Sequence, residues 1–211
     1  MYLLTQTKRL KMKIIFLDID GVLNFQSHYE TLREKLVGKV GETIKSEKLQ
    51  RFHHYSENIN FEALKRVELL CEKTGASIVI SSTWRKSMNP EQLNEVFRYC
   101  GLEKDLPIID ITPCFYLKDF GNLPRGCEID NWLKSKGFYN IFWSEFEQQK
   151  YIDKSGIENY IILDDDSDML YCQRNHFIPI LPAPRHMDGF DEKYYQIALE
   201  KLSKTVIELN Y

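Results

Sequence analysis

Short apolar runs recur along the chain, and stretches of helical spacing lie between them. Ile14-Ile15-Phe16-Leu17 has no polar interruption, the pattern of a strand buried on both faces. Ile78-Val79-Ile80 and Ile161-Ile162-Leu163 read the same way, and Ile108-Ile109-Asp110-Ile111 adds another strand. Phe177-Ile178-Pro179-Ile180 is expected at a sheet edge, because its proline has no N–H to give to a neighbouring strand. Strands alternating with helices predict an α/β fold built on a central parallel sheet.

The helices announce their ends. Asn60 is a candidate N-cap, with Phe61, Leu64, Val67, Leu70 and Cys71 on one face behind it and Gly75 beyond the last turn. Asn89-Pro90 joins a cap to a proline at the first helical position, and Leu93, Val96, Phe97 and Cys100 follow at helical spacing before Gly101. Ile129, Trp132 and Leu133 mark a third helix that stops near Gly137. Tyr195, Ala198, Leu199, Leu202, Val206 and Leu209 predict one amphipathic C-terminal helix.

Two stretches fit neither pattern. Residues 25–59 carry Lys35, Lys39, Lys45, Lys48 and Arg51 among glutamates, then His53-His54-Tyr55, and are too long for a strand-to-helix loop. They are expected to form a small cap insertion over the active end of the sheet. Residues 138–159, rich in aromatics and charge, read as a smaller second insertion. Residues 1–12 read as an N-terminal lead, and 13–211 as a single domain.

Composition narrows the class. Hydrophobic residues make up 43% of 211, enough for a sizeable core at this length. A formal net charge of −3 argues against a general polyanion binder while leaving room for a local basic groove. No apolar stretch approaches the roughly 18 residues of a membrane span, and Lys8, Arg9 and Lys11 are not followed by the apolar run and cleavage site of a secretory signal. The five cysteines are odd in number and none sit at CxxC spacing, so reduced thiols and a cytoplasmic setting are expected. The histidines show no HxxxH spacing and read as ordinary surface or core residues.

Chemistry enters where the apolar runs stop. Leu17-Asp18-Ile19-Asp20-Gly21 places two aspartates two residues apart at a strand end, and ligands of open parallel sheets bind beyond such ends. Like charges this close repel, and a divalent cation relieves them; oxygen-only ligands suit magnesium. The plainer reading, a polar turn, weakens because a second buried strand also ends in carboxylates, at Asp164-Asp165-Asp166-Ser167-Asp168. Ser81-Ser82-Thr83-Trp84-Arg85 ends a third strand in hydroxyls, which hold a phosphate oxygen or simply cap a turn. Arg125 opens a helix, where a fixed cation and the helix dipole together favour an anion.

The order of these elements resembles the haloacid dehalogenase (HAD) superfamily. Within it, Leu-Asp-Ile-Asp-Gly-Val-Leu-Asn, Ser-Ser-Thr-Trp-Arg, Arg-Gly-Cys-Glu-Ile-Asp-Asn-Trp-Leu and Leu-Asp-Asp-Asp-Ser-Asp-Met are similar to the HAD domains of bacterial Swiss Army Knife RNA-repair proteins, over roughly residues 13–202. The resemblance implies a three-layer Rossmann-like core with a small cap and a magnesium-dependent phosphomonoesterase. Asp18 would be the nucleophile that forms an aspartyl-phosphate, and Asp20 the general acid and base. Ser81, or its neighbour Ser82, would hydrogen-bond the phosphoryl group, and Arg125, or Arg85, would supply the cation. Magnesium would be held by Asp18, the Asp20 backbone carbonyl and Asp164 or Asp165, with Asp168 also in contention. The implied partner is a phosphorylated substrate: a small metabolite, a nucleotide or a nucleic-acid end, the acceptor being water or another hydroxyl. The reading from another class is a non-catalytic phosphate-binding or interaction module on the same fold. The sequence sets no oligomeric state.

Overall fold

The structure, a computed structural model, describes residues 11–25, 55, 58–119, 121–140, 144–181 and 189–210. In chain order the strands are β1 (Met12–Leu17), β2 (Ser77–Ile80), β3 (Ile108–Ile111), β4 (Tyr116–Leu117), β5 (Gly121–Asn122), β6 (Ile157–Asp164) and β7 (Phe177–Pro179). The helices are α1 (Phe61–Thr74), α2 (Pro90–Tyr99), α3 (Arg125–Ser135), α4 (Glu145–Ser155), α5 (Glu192–Ser203) and α6 (Val206–Asn210). Five strands form one parallel sheet in the order β3-β2-β1-β6-β7, and β4 and β5 form a separate antiparallel ribbon. This is the α/β fold with a parallel sheet that the alternation of runs predicts, and the Rossmann-like core that the resemblance implies. Pro179 lies on the edge strand, as its missing N–H requires.

Alternation along each strand sorts the core into two layers of packing. Ile15, Leu17, Ile78, Ile80, Ile161 and Leu163 face α1, α2 and α5. Ile14, Phe16, Val79 and Ile162 face the other way, against Ile129, Trp132 and Leu133 of α3 and Ile152 of α4. Phe16 meets Trp132 and Tyr160 edge-on at 5.4 and 5.9 Å between ring centres. The chain moves outward from β1 to β2 and β3, then returns on the opposite face to place β6 on the other side of β1. The strand order therefore reverses between β1 and β6, the position where open α/β sheets form a crevice for ligands.

The helix ends follow the expected chemistry. Asn60 Oδ1 accepts the Ala63 N–H at 2.9 Å, and Gly75 closes α1 at a φ of 68°. Asn89 and Gln92 exchange side-chain to backbone bonds of 2.9 and 3.0 Å in a reciprocal cap ahead of α2.

Three expectations change. The single C-terminal helix is two, because Lys204 is extended between them. Asn159 Nδ2 donates to the carbonyls of Lys201 and Lys204, both at 2.7 Å, and the Thr205 hydroxyl accepts the Glu208 N–H to start α6. The break lets Leu202 pack on one face of the sheet and Val206 on the other. Residues 138–159 contain α4 and the start of β6, so they supply a core helix and strand rather than an insertion. Met12, read as the last residue of a lead, begins β1. The cap expected over 25–59 falls mostly on 26–54, 56 and 57, outside the described residues, as does His28-to-His54 and its basic cluster.

Candidate active site

Register determines which strand-end residues meet. Leu17 pairs with Ile80 on one side and Leu163 on the other, so Asp18, Ser81 and Asp164 are the next residues at one level of the sheet. The backbone ladder runs one step further: Asp18 N–H donates to the Leu163 carbonyl, and Ser81 N–H to the Leu17 carbonyl, each at 2.9 Å. Since Leu17, Ile80 and Leu163 face α1, the pleat places these three on the α3 side. All three are buried, Asp18 to 5% exposure and Asp164 to 0%.

One carboxylate oxygen from each of Asp18, Asp164 and Asp165 falls within 4.8 Å of the others. Burial raises the Asp18 carboxyl above its ordinary range, opposed first by the Arg125 charge. Burial and then the Asp18 charge push Asp164 up to about 7, and the same two causes raise Asp165. Such a cluster pays repulsion that a hard dication removes, and its all-oxygen donor set fits magnesium. The fit is supported by Asp164 Oδ2, which is buried and has no hydrogen bond among the described residues.

Gly21 makes this approach possible. It turns the chain at a φ of 76°, and a Cβ there would lie 2.1 Å from Asp165 Oδ2. Ile19, Val22 and Leu23 are fully buried and anchor the turn, while Asn24 accepts the Gly21 N–H.

Asp20 stands apart from the carboxylate cluster. Its side chain is exposed and accepts hydrogen bonds from Trp84 Nε1 at 3.1 Å to both oxygens, Asn24 Nδ2 at 2.7 Å and Thr83 Oγ1 at 3.3 Å. With the carboxylate held there, the backbone carbonyl is the group of Asp20 left for a metal role.

The two serines differ. The Ser82 hydroxyl is among the groups that hold the Asp18 carboxyl down, and it accepts the Trp84 N–H at 3.4 Å. Ser81 Oγ is buried without a hydrogen bond among the described residues.

The two arginines differ more sharply. Arg85 is buried, pairs with Glu128 on α3, and donates to the carbonyls of Ser81, Ser82, Thr112 and Pro113. Glu128 also accepts the Phe115 N–H at 3.0 Å, so this pair ties the ends of β2 and β3 to the first turn of α3. The charge of Arg125 is the leading one that holds Asp18 down and also acts on Asp164, and its Nη1 is buried with no hydrogen bond among the described residues.

Asp168 lies outside the group formed by Asp18, Asp164 and Asp165, and its Oδ1 is buried with no hydrogen bond among the described residues. Helix α3 begins after Pro124, which has no side-chain cap to offer. Asp168 Oδ2 fills that place by accepting the Arg125 N–H at 2.7 Å. A Cβ on Gly126 would lie 2.5 Å from Leu170 N, which shows how closely the helix start meets this loop.

Sequence reasoning named Asp18, Asp20, Ser81, Arg125, Asp164 and Asp165; Asp18, Ser81, Asp164 and Asp165 meet at the strand ends, the Arg125 charge acts on them from the start of α3, and the Asp20 carboxylate stands apart. That reasoning missed Trp84 as a partner of Asp20 and Glu128 as the partner of Arg85. The one signal for Trp84 was a large N–H donor set among hydroxyls directly after a buried strand.

No helix among the described residues is long and apolar enough to cross a membrane. No curated protein and no solved structure matches the chain. The model of the HAD domain in Swiss Army Knife RNA repair proteins matches residues 14–191. Since that span takes in every strand of the sheet from Ile14 onward, with both acidic strand ends, the chain belongs to the family of HAD domains in Swiss Army Knife RNA repair proteins.

Proposed function

We propose that the chain is a magnesium-dependent phosphomonoesterase working through Asp18. The observation that carries this reading is the convergence of Asp18, Asp164 and Asp165 within 4.8 Å at the reversal point of the sheet, beside the Arg125 charge. Asp18, Asp164, Asp165 and the Asp20 carbonyl would hold the metal. When bound, the cation supplies positive charge that keeps Asp18 ionised and draws the phosphoryl oxygens toward it.

The protein's own groups account for the rest. An Asp18 carboxylate oxygen attacks phosphorus, the bond to the leaving oxygen breaks, and Asp20 gives that oxygen a proton. The Asp20 carboxylate then takes a proton from water, the hydroxide oxygen attacks phosphorus, and the bond to Asp18 breaks. Inorganic phosphate and the starting carboxylate result. Arg125 offsets charge on the phosphoryl oxygens, helped by the start of α3. Ser82, which acts on the Asp18 carboxyl, and Ser81, buried on the same level, are the hydroxyls available to a phosphoryl oxygen.

The family's association with RNA repair supports phosphate ends of RNA as the first substrates to try, with nucleotides beside them. The test is phosphate release from a generic aryl phosphate and from these substrates, with and without magnesium, alongside Asp18→Asn. Magnesium-dependent release lost in the variant supports the reading. No release from any of them, with phosphate still bound, favours the non-catalytic module.

A further inference from the structure

Trp84 stands out because the proposed chemistry gives it nothing to do, yet its indole N–H is shared equally by both oxygens of Asp20, at 3.1 Å each. An exposed carboxylate turns freely about its side-chain bonds unless something fixes it. Asn24 and Thr83 also donate to Asp20, but Asn24 bonds only Oδ1 and Thr83 only Oδ2. Trp84 meets both oxygens, and with Asn24 on one and Thr83 on the other the plane of the carboxylate is fixed as well as its position.

The indole itself is well held. Trp84 is 8% exposed and lies in the short turn Thr83–Lys86 that follows β2. That turn is anchored by Arg85, through its bonds to the Ser81 and Ser82 carbonyls and its ion pair with Glu128. The Tyr55 ring packs on the indole at 4.8 Å between centres. A rigid group thus holds a mobile one at the position where a proton must be delivered.

We infer that Trp84 is a positioning residue, which aims the Asp20 carboxyl at the leaving oxygen of the substrate. This rests on the phosphohydrolase reading. Proton delivery matters where the leaving oxygen is a poor leaving group, such as an alkoxide, and matters little where it is already stable as an anion. Loss of aim therefore shows as a dependence on the leaving group, which loss of packing does not produce.

The experiment compares Trp84→Phe with the wild-type chain on an alkyl phosphate and on para-nitrophenyl phosphate, in magnesium. The ratio kcat/KM reports steps through formation of the aspartyl-phosphate. For Trp84→Phe it is expected to fall roughly tenfold or more on the alkyl ester and less than about twofold on the nitrophenyl ester. An equal fall on both esters, or none on either, overturns the inference. A second readout is independent of turnover: the Trp84 indole N–H signal in a proton–nitrogen NMR spectrum of the wild-type chain, assigned there by triple-resonance experiments. It is expected to move in Asp20→Asn, and an unmoved signal overturns the contact even if Trp84→Phe fails to fold. Failure of the phosphohydrolase reading looks different, since Asp18→Asn would then match the wild type on both esters.

Discussion

The Asp165 carboxylate occupies the space that a side chain on residue 21 would need: a Cβ at Gly21 would lie 2.1 Å from Asp165 Oδ2. The same glycine has a φ of 76°, so the Asp-x-Asp-Gly turn and the second acidic strand end fit together only without a side chain there.

Gly21→Ala is therefore expected to cost about 1–2 kcal/mol from the left-handed backbone alone, and to push Asp165 out of the cluster. Thermal melts with and without magnesium check this. The stabilisation given by magnesium should shrink in the variant, and an unchanged magnesium shift would show that Asp165 does not hold the metal.

Asp164 makes metal-free stability depend on pH. Its carboxyl is raised to about 7 in the folded chain, above the ordinary carboxylate value, by burial and then by Asp18. A raised carboxyl pKa means that folding disfavours the charged form, so stability is fullest below the unfolded value and is lost as pH rises toward 7. In chelator, the wild type should lose stability over this window relative to Asp164→Asn. Magnesium added above pH 7 should restore the wild type and stabilise the variant less; parallel pH curves for the two proteins would contradict the assignment.

Arg85 and Arg125 should respond oppositely to substitution. Glu128→Gln strips the buried Arg85 of its charge partner, and breaking such a pair costs about 3–5 kcal/mol. Arg125→Lys keeps a charge at the helix start and should leave the melting temperature within a few degrees while lowering phosphate release about tenfold or more. Denaturation and activity measured together decide the matter. If Arg125→Lys unfolds the protein and Glu128→Gln only slows it, the two roles are reversed.

His176 gives a second pH dependence of opposite sign. Its ring stacks on Tyr160 at 4.0 Å, and its Nδ1 lies 2.8 Å from the Tyr160 carbonyl. Burial holds its pKa down at about 4, from an ordinary 6.5. The unfolded chain takes up a proton between these values and the folded chain does not, so stability falls as pH drops through that window, by about 3 kcal/mol at most. Chemical denaturation of the wild type and His176→Phe across the window should show a flatter acid limb in the variant. Equal slopes would mean that another group carries the acid sensitivity.

How much of this was readable beforehand depended on whether the signal was local. The run Ile14 to Leu17 and the aspartates behind it specify a buried strand and an acidic end within a few residues, and caps such as Asn60 and Asn89 act on N–H groups three positions away. The choice between Asp164, Asp165 and Asp168 was not local. It depends on α3 arriving beside the loop with an uncapped start, which Asp168 then fills. The pairing of Arg85 was hidden for the same reason, since the partner Glu128 lies 43 residues away in sequence. The split of the last helix escaped notice because Val206 and Leu209 keep the helical spacing, while the break is made by Asn159 from a strand.

The bond from the Arg125 backbone to Asp168 means that the stretch bearing Asp164 and Asp165 also holds the start of the helix that presents the Arg125 charge. Only a few residues separate Asp165 from Asp168, so they act as a short spacer between the two halves of a charge-sorting slot. Stretching or loosening that spacer would change the gap between opposite charges, and under the proposed function the size of phosphate ester that fits, without altering either charge.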